Sequence, residues 1–188
     1  MSDEGSTTYT QPGNLRIRLG LFWVSNYFGG TDQLVLRRSE EMLNEHGLGL
    51  DLWPSRTRTD QTVLQFDDRL VEREDYDSLR SRAAAILSDA GKDKYLPVLF
   101  CQFRYTANGL TVWDTQLLCW VIPMCVVSPT VAGDNVTLLH EVGHAAGLGH
   151  DKTSTDPKSR NFMHEAETRK TMMKWQIQKM ANAFYATP

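Results

Sequence analysis

No stretch of this 188-residue chain approaches the roughly 18 uninterrupted apolar residues that a membrane-spanning helix needs. The longest apolar run, around Leu117 to Val127, reads instead as a buried strand. Positive charge is not in excess either: 20 Lys and Arg against 23 Asp and Glu give a net charge of -3. No basic face is therefore expected to neutralise phosphates, which excludes nucleic acid and anionic membrane surfaces as expected partners. The N-terminal lead MSDEGSTTYTQPGN is acidic and polar rather than basic and then apolar, so it does not read as a secretory signal. A cytoplasmic location is the expectation, with signal-independent export or a trimmed leader left open. Cysteine is scarce, at three residues. Cys119 and Cys125 lie six apart in one expected strand, about 20 Å at strand rise and too far to bridge, unless Pro123 folds the run back. A bridge from Cys101 to either stays open, although buried free thiols are the simpler reading.

The chain does have the composition of one soluble globular domain: 41% hydrophobic and 23% charged residues, with no internal repeat. Residues 1–14 read as a flexible lead. Asn14 to Ser25 alternates and then turns wholly apolar, as a strand entering a core does. Thr31 to Glu45 and Asp75 to Ala90 carry apolar residues at helical spacing and end near Gly47 and Gly91, so they are predicted helices. Gly49 to Thr57, broken by Pro54, is a second strand; Tyr95 to Tyr105 and Leu117 to Ser128 are interior strands, the latter bent at Pro123. Gly109 to Asp114, preceded by Asn108, reads as an edge strand. The order gives an α/β sheet in the first two thirds of the chain, followed by helices and loops.

The informative segment is VTLLHEVGHAAGLGH, a helix that Asp134 or Asn135 can cap. His140 and His144 are four apart and so share one helix face, where both imidazoles can reach one metal ion. A catalytic zinc takes three protein ligands and leaves a fourth position for water. His150 would lie on the wrong side of a continuous helix, about 240° from His144. Gly147 resolves this, because a residue able to adopt positive φ ends the helix and turns the chain back. Glu141, about 100° from His140, sits beside such a metal rather than on it, the place of a general base that takes a proton from the metal-activated water. Gly143 costs roughly 1 kcal/mol relative to alanine in a helix, which points to close packing beside the site. A random chain of this length would match the five fixed positions on the order of once in 10⁵.

Residues 140 to 150, HEVGHAAGLGH, match HExxHxxGxxH and so resemble the metzincin clan of zinc metalloproteases, most nearly the matrix metalloproteinases and astacins. The resemblance implies a zinc-dependent endopeptidase with one Zn2+ held by His140, His144 and His150. It also implies a methionine in a tight turn beneath the metal, for which Asn161-Phe162-Met163 assigns Met163. A closing helix is implied as well, here capped by Thr171 and carrying Met173, Ile177, Met180 and Phe184 as one stripe. In the clan a mixed, mostly parallel sheet with an antiparallel edge strand walls the cleft above the zinc helix, and a small C-terminal subdomain ends in a helix. By that analogy the domain spans 15–188, divided near residue 150 into an upper part and a lower part of 151–188. Gly109, Leu110, Thr111 and Val112 would pair with an extended peptide substrate. The chain departs from the astacin pattern at Glu165, which stands where a tyrosine ligand would be. The lead contains no cysteine, so no cysteine switch is expected.

Other readings give different expectations. Glu165 or Glu167 could serve as third ligand in another clan, but Gly147 and His150 would then be unexplained. His164 beside Met163 reads as a pocket-rim residue, since three histidines already complete the site. No EF-hand spacing accompanies Asp151 and Asp156, so no calcium is expected. A peptide or protein substrate and a monomeric state are expected. The alternatives to an endopeptidase are a zinc-binding, protease-like protein that recognises a partner without cleaving it, and a hydrolase of non-peptide amides.

Overall fold

The computed structural model of the protein describes residues 14–27, 31–68, 70–104, 108–113, 122–128, 136–153, 156, 160–165 and 171–188. The first strand, β1 (Leu15–Val24), is apolar without a break from Leu19 except for Gly20. Successive strand residues face opposite sides, so a continuous apolar run suits a strand covered on both faces. Ile17, Leu19, Leu21 and Trp23 accordingly enter one core, and Phe22 and Val24 enter a second on the other face.

Helix α1 (Asp32–Asn44) packs Val35, Leu36, Met42 and Leu43 into the first core. Strand β2 (Leu48–Trp53) lies parallel to β1 and stops before Pro54. The two-residue strand β3 (Val63–Leu64) then takes over the same edge of β1 at Trp23 and Val24. Helix α2 (Tyr76–Asp89) covers the opposite face through Leu79, Ala83 and Leu87. Strand β4 (Leu96–Phe100) joins β1 in parallel. Strand β5 (Gly109–Val112) and strand β6 (Met124–Val127) complete the sheet on that side, β6 parallel to β4 and β5 antiparallel to β6. Helix α3 (Thr137–Ala145) and helix α4 (Lys174–Ala181) follow, and strand β7 (Ala186–Thr187) returns to pair antiparallel with β1 at Arg16 and Ile17.

The result is a mixed α/β fold. Among the described residues a mostly parallel seven-stranded sheet runs in the order β2-β1-β4-β6-β5, with β3 and β7 on the flanks of β1 and the antiparallel β5 at its edge. α1, α3 and α4 lie over one face and α2 over the other.

Several expected elements shift. The long apolar run around Leu117 to Ser128 is a strand only over Met124–Val127 among the described residues, because Pro123 lacks the N–H that would extend the ladder. Leu117 and Cys119 lie outside the described residues. Likewise β4 ends at Phe100, well short of Tyr105. The closing helix begins after Met173 rather than Thr171, and Thr171 instead bridges to Asn161. Ile177 and Met180 are buried as expected, but Met173 and Phe184 are 45% and 41% exposed, so only the middle of the expected stripe faces the core. Neither β3 nor β7 was expected, since two-residue strands carry no periodicity to read. Cys101 and Cys125 are buried free thiols, so Cys101 and Cys125 do not bridge each other.

The chain end is tied to α3 by Tyr185, which is fully buried and donates its hydroxyl to the Val142 carbonyl at 2.8 Å. Burial holds this phenol well above its ordinary pKa, so it remains a donor. The Val142 carbonyl also accepts the Ala146 N–H at 3.1 Å, so it stays satisfied when the hydroxyl is removed. Tyr185→Phe is therefore expected to cost about 1 kcal/mol. Urea unfolding should show a lower midpoint at unchanged slope; an unshifted midpoint would mean that this bond does not hold the chain end.

Candidate metal centre

Helix α3 carries His140 and His144 one turn apart on one face. Val136 occupies its cap position and supplies no side-chain bond, so the helix starts later than a cap at Asp134 or Asn135 would place it; both of those lie outside the described residues. The other end is sharply defined. Gly147 has φ of +80°. The N–H groups of Gly147 and Leu148 bond to the carbonyls of His144 and Gly143 at 2.7 and 3.0 Å, the two closing bonds of a helix ended by a left-handed residue. Lys179 of α4 adds its ammonium to the Gly147 carbonyl at 2.6 Å, a cation at the negative end of the helix.

The reversal returns His150 to the other two histidines. Nε2 of His144 lies 3.1 Å from Nε2 of His140 and 3.0 Å from Nε2 of His150. One nitrogen from each of the three lies within 4.8 Å of the others, so the three can hold a metal ion.

The second nitrogen of each ring decides what those contacts are. His140 Nδ1 meets the Phe162 carbonyl at 2.9 Å, and His144 Nδ1 meets the Leu148 carbonyl at 2.8 Å. Carbonyls only accept, so in the neutral rings the proton sits on Nδ1 and Nε2 presents a lone pair. His150 Nδ1 faces Glu165 Oε1 at 3.2 Å, which favours the same tautomer. Lone pairs directed at each other across about 3 Å repel, and a cation between them turns the repulsion into ligation. A tetrahedral ion bonded at about 2.0–2.1 Å would space its nitrogens by about 3.3 Å, within a few tenths of an ångström of the separations here. Three imidazoles suit a first-row divalent transition ion.

Beneath the cluster, residues 161–164 form a turn closed by the His164 N–H on the Asn161 carbonyl at 2.9 Å. Asn161 Oδ1 accepts the Met163 N–H at 2.9 Å, and the Asn161 and Gln176 amides exchange two bonds of 2.9 Å. The turn that presents the Phe162 carbonyl to His140 is thus fastened to α4. Met163 is fully buried in it. A Cβ on Gly143 would collide with Met163 Sδ and come within 2.9 Å of the Phe162 ring, which is why α3 tolerates a glycine at its centre. His164 is half-buried and outside the three-histidine cluster.

Glu141 is only 4% exposed and points to β5. Thr111 donates its hydroxyl to Glu141 Oε2 at 2.7 Å and lies 2.8 Å from the Glu141 carbonyl. Gly109 leaves the room for this: a Cβ there would sit 2.7 Å from Glu141 Oε1 and 2.6 Å from Thr137 Cγ2. The three histidines and Glu141 line one cleft of about 760 Å³, walled by Gly109, Leu110, Thr111 and Trp113 on one side and by Gly147 to His150 and Glu165 on the other. The Val112 side chain packs against the second core.

Glu165, which the sequence offers as a substitute ligand and as the residue in place of a tyrosine ligand, instead faces His150. Its one signal was its position two residues beyond Met163. The carbonyls of Leu148 and Phe162 left no mark in the sequence, since any residue supplies one. Neither a scan against protein-family models nor a search of curated proteins returned a match.

Two substitutions test the centre. Gly147→Val forces a branched side chain into left-handed φ at about 1–2 kcal/mol. It also displaces the Leu148 carbonyl and His150, so Zn2+ affinity, measured against a chromophoric chelator, should fall about 10- to 100-fold. Wild-type affinity would contradict the role of the turn. Gly143→Ala should destabilise the fold by about 1–3 kcal/mol through overpacking on Met163 and Phe162, read as a lower midpoint of denaturant unfolding.

Proposed function

We propose that the protein is a zinc-dependent endopeptidase of the metzincin kind. The observation that carries this reading is the convergence of three Nε2 lone pairs, from His140, His144 and His150, in a cleft that Glu141 also lines. Bound there, zinc supplies Lewis acidity, which makes water nucleophilic near neutral pH and polarises a carbonyl.

The chain's own groups do the rest. The carbonyls of Phe162 and Leu148 and the carboxylate of Glu165 fix the imidazoles in the ligating tautomer. Glu141 takes a proton from the attacking water, the water oxygen bonds to the scissile carbonyl carbon, and Glu141 passes the proton to the nitrogen as the carbon–nitrogen bond breaks. β5 is the last strand of the sheet path, and an extended peptide can add to such an edge through main-chain bonds. Gly109 and Thr111 of β5 and Trp113 just after it line the cleft, Val112 packs against the second core, and Leu110 touches both. Met163 would form the floor beneath the metal, as the turn methionine does in that clan.

Glu141→Ala is expected to keep one zinc per chain and to lose about 10²–10⁴ of the hydrolytic rate. Incubation with a peptide library, with and without a chelator and read by mass spectrometry, checks this. Cleavage by Glu141→Ala at the wild-type rate, or cleavage that persists after zinc removal, would contradict the reading.

A further inference from the structure

We propose that Thr111 is a positioning residue for Glu141, so that the strand offered to the substrate also aims the base. This rests on the endopeptidase reading and adds to it. Thr111 stands in the middle of β5, opposite Cys125 of β6, and its side chain faces α3 rather than the second core. A glutamate on a helix has several rotamers of similar energy, and aiming its carboxyl costs entropy unless something fixes it. Here three features fix it. The Thr111 hydroxyl bonds to Oε2 at 2.7 Å. The same hydroxyl lies 2.8 Å from the Glu141 carbonyl, so its single proton is shared between the backbone and side-chain oxygens of one residue, which favours rotamers that bring Oε2 back to the helix. Gly109, two residues before Thr111 and on the same face, leaves a slot that holds Oε1 and Cγ.

The two carboxylate oxygens therefore have different surroundings. Oε2 accepts the Thr111 hydroxyl, and Oε1 lies over the bare Cα of Gly109 in the cleft wall. A serine at position 111 preserves the hydroxyl; a valine has nearly the shape of threonine and lacks it.

The test compares zinc-loaded wild type, Thr111→Val and Thr111→Ser by crystallography and by steady-state kinetics on a peptide that the wild type cleaves. In Thr111→Val the Glu141 carboxylate is expected to leave its place beside β5, kcat to fall about tenfold, and KM and zinc content to stay unchanged; Thr111→Ser should restore both the carboxylate position and kcat. The proposal is overturned if the carboxylate keeps its place in Thr111→Val, if kcat stays within twofold, if serine restores neither, or if KM carries the loss. If Thr111→Val does not fold, Thr111→Ala takes its place, since it removes the same hydroxyl and should produce the same displacement and the same fall in kcat. Failure of the endopeptidase reading is distinguishable: it shows as no cleavage by wild type, or as full activity in Glu141→Gln. In that event the crystallographic comparison still decides whether Thr111 holds the carboxylate.

Discussion

Three imidazole lone pairs forced toward one point are the constraint around which this part of the molecule is organised. Nothing in the neutral side chains favours that arrangement, since nitrogens that cannot donate to one another repel at about 3 Å. The tautomers are imposed from behind, by the Phe162 and Leu148 carbonyls and by Glu165. Each of those partners is itself fixed. Leu148 follows the left-handed Gly147 that ends α3, and Phe162 sits in a turn clamped by the Asn161–Gln176 amide pair. The C-terminal segment after α3 thus acts on the three-histidine cluster through the Leu148 and Phe162 carbonyls and the Glu165 carboxylate. Tyr185 and β7 in turn fasten that segment to α3 and to the first strand.

The sheet contributes differently. Its central strands are buried on both faces and serve as scaffold, whereas β5 is shared between two tasks. Its alternate residues separate them: Leu110 and Val112 complete the second core, and Gly109 and Thr111 shape the pocket for Glu141. Cys125, across from Thr111 on β6, is fully buried, and burial holds its thiol well above the ordinary range; Cys101 is raised for the same reason. Neither has the thiolate character that reactivity requires.

How far the sequence could be read depended on whether an element carried its own period or chemistry. The histidine spacing and Gly147 together required a helix that stops and reverses, and α3 does so. β1, α1 and α2 lay within a residue or two of their apolar patterns. The failures share a cause: they depend on partners distant in sequence. β7 forms by pairing with Arg16 and Ile17, and among the described residues the Leu117 to Ser128 run is a strand only where it pairs with β4 and β5, over Met124–Val127. Met173 and Phe184 kept helical spacing with Ile177 and Met180, yet the helix covers only Lys174–Ala181, so both end on the surface. At the site, Gly109 to Val112 read as one substrate strand, and only the packing against α3 distinguished Thr111, which grips Glu141, from its neighbours.

The convergence of the three histidines on one ion is tested most directly by X-ray absorption at the zinc edge of the loaded protein. Three imidazole nitrogens and one oxygen neighbour at about 2.0–2.1 Å are expected, and one imidazole fewer in the His150→Ala protein. A spectrum with two imidazoles or fewer in the wild type, a sulfur ligand, or no change on removing His150 would contradict the account.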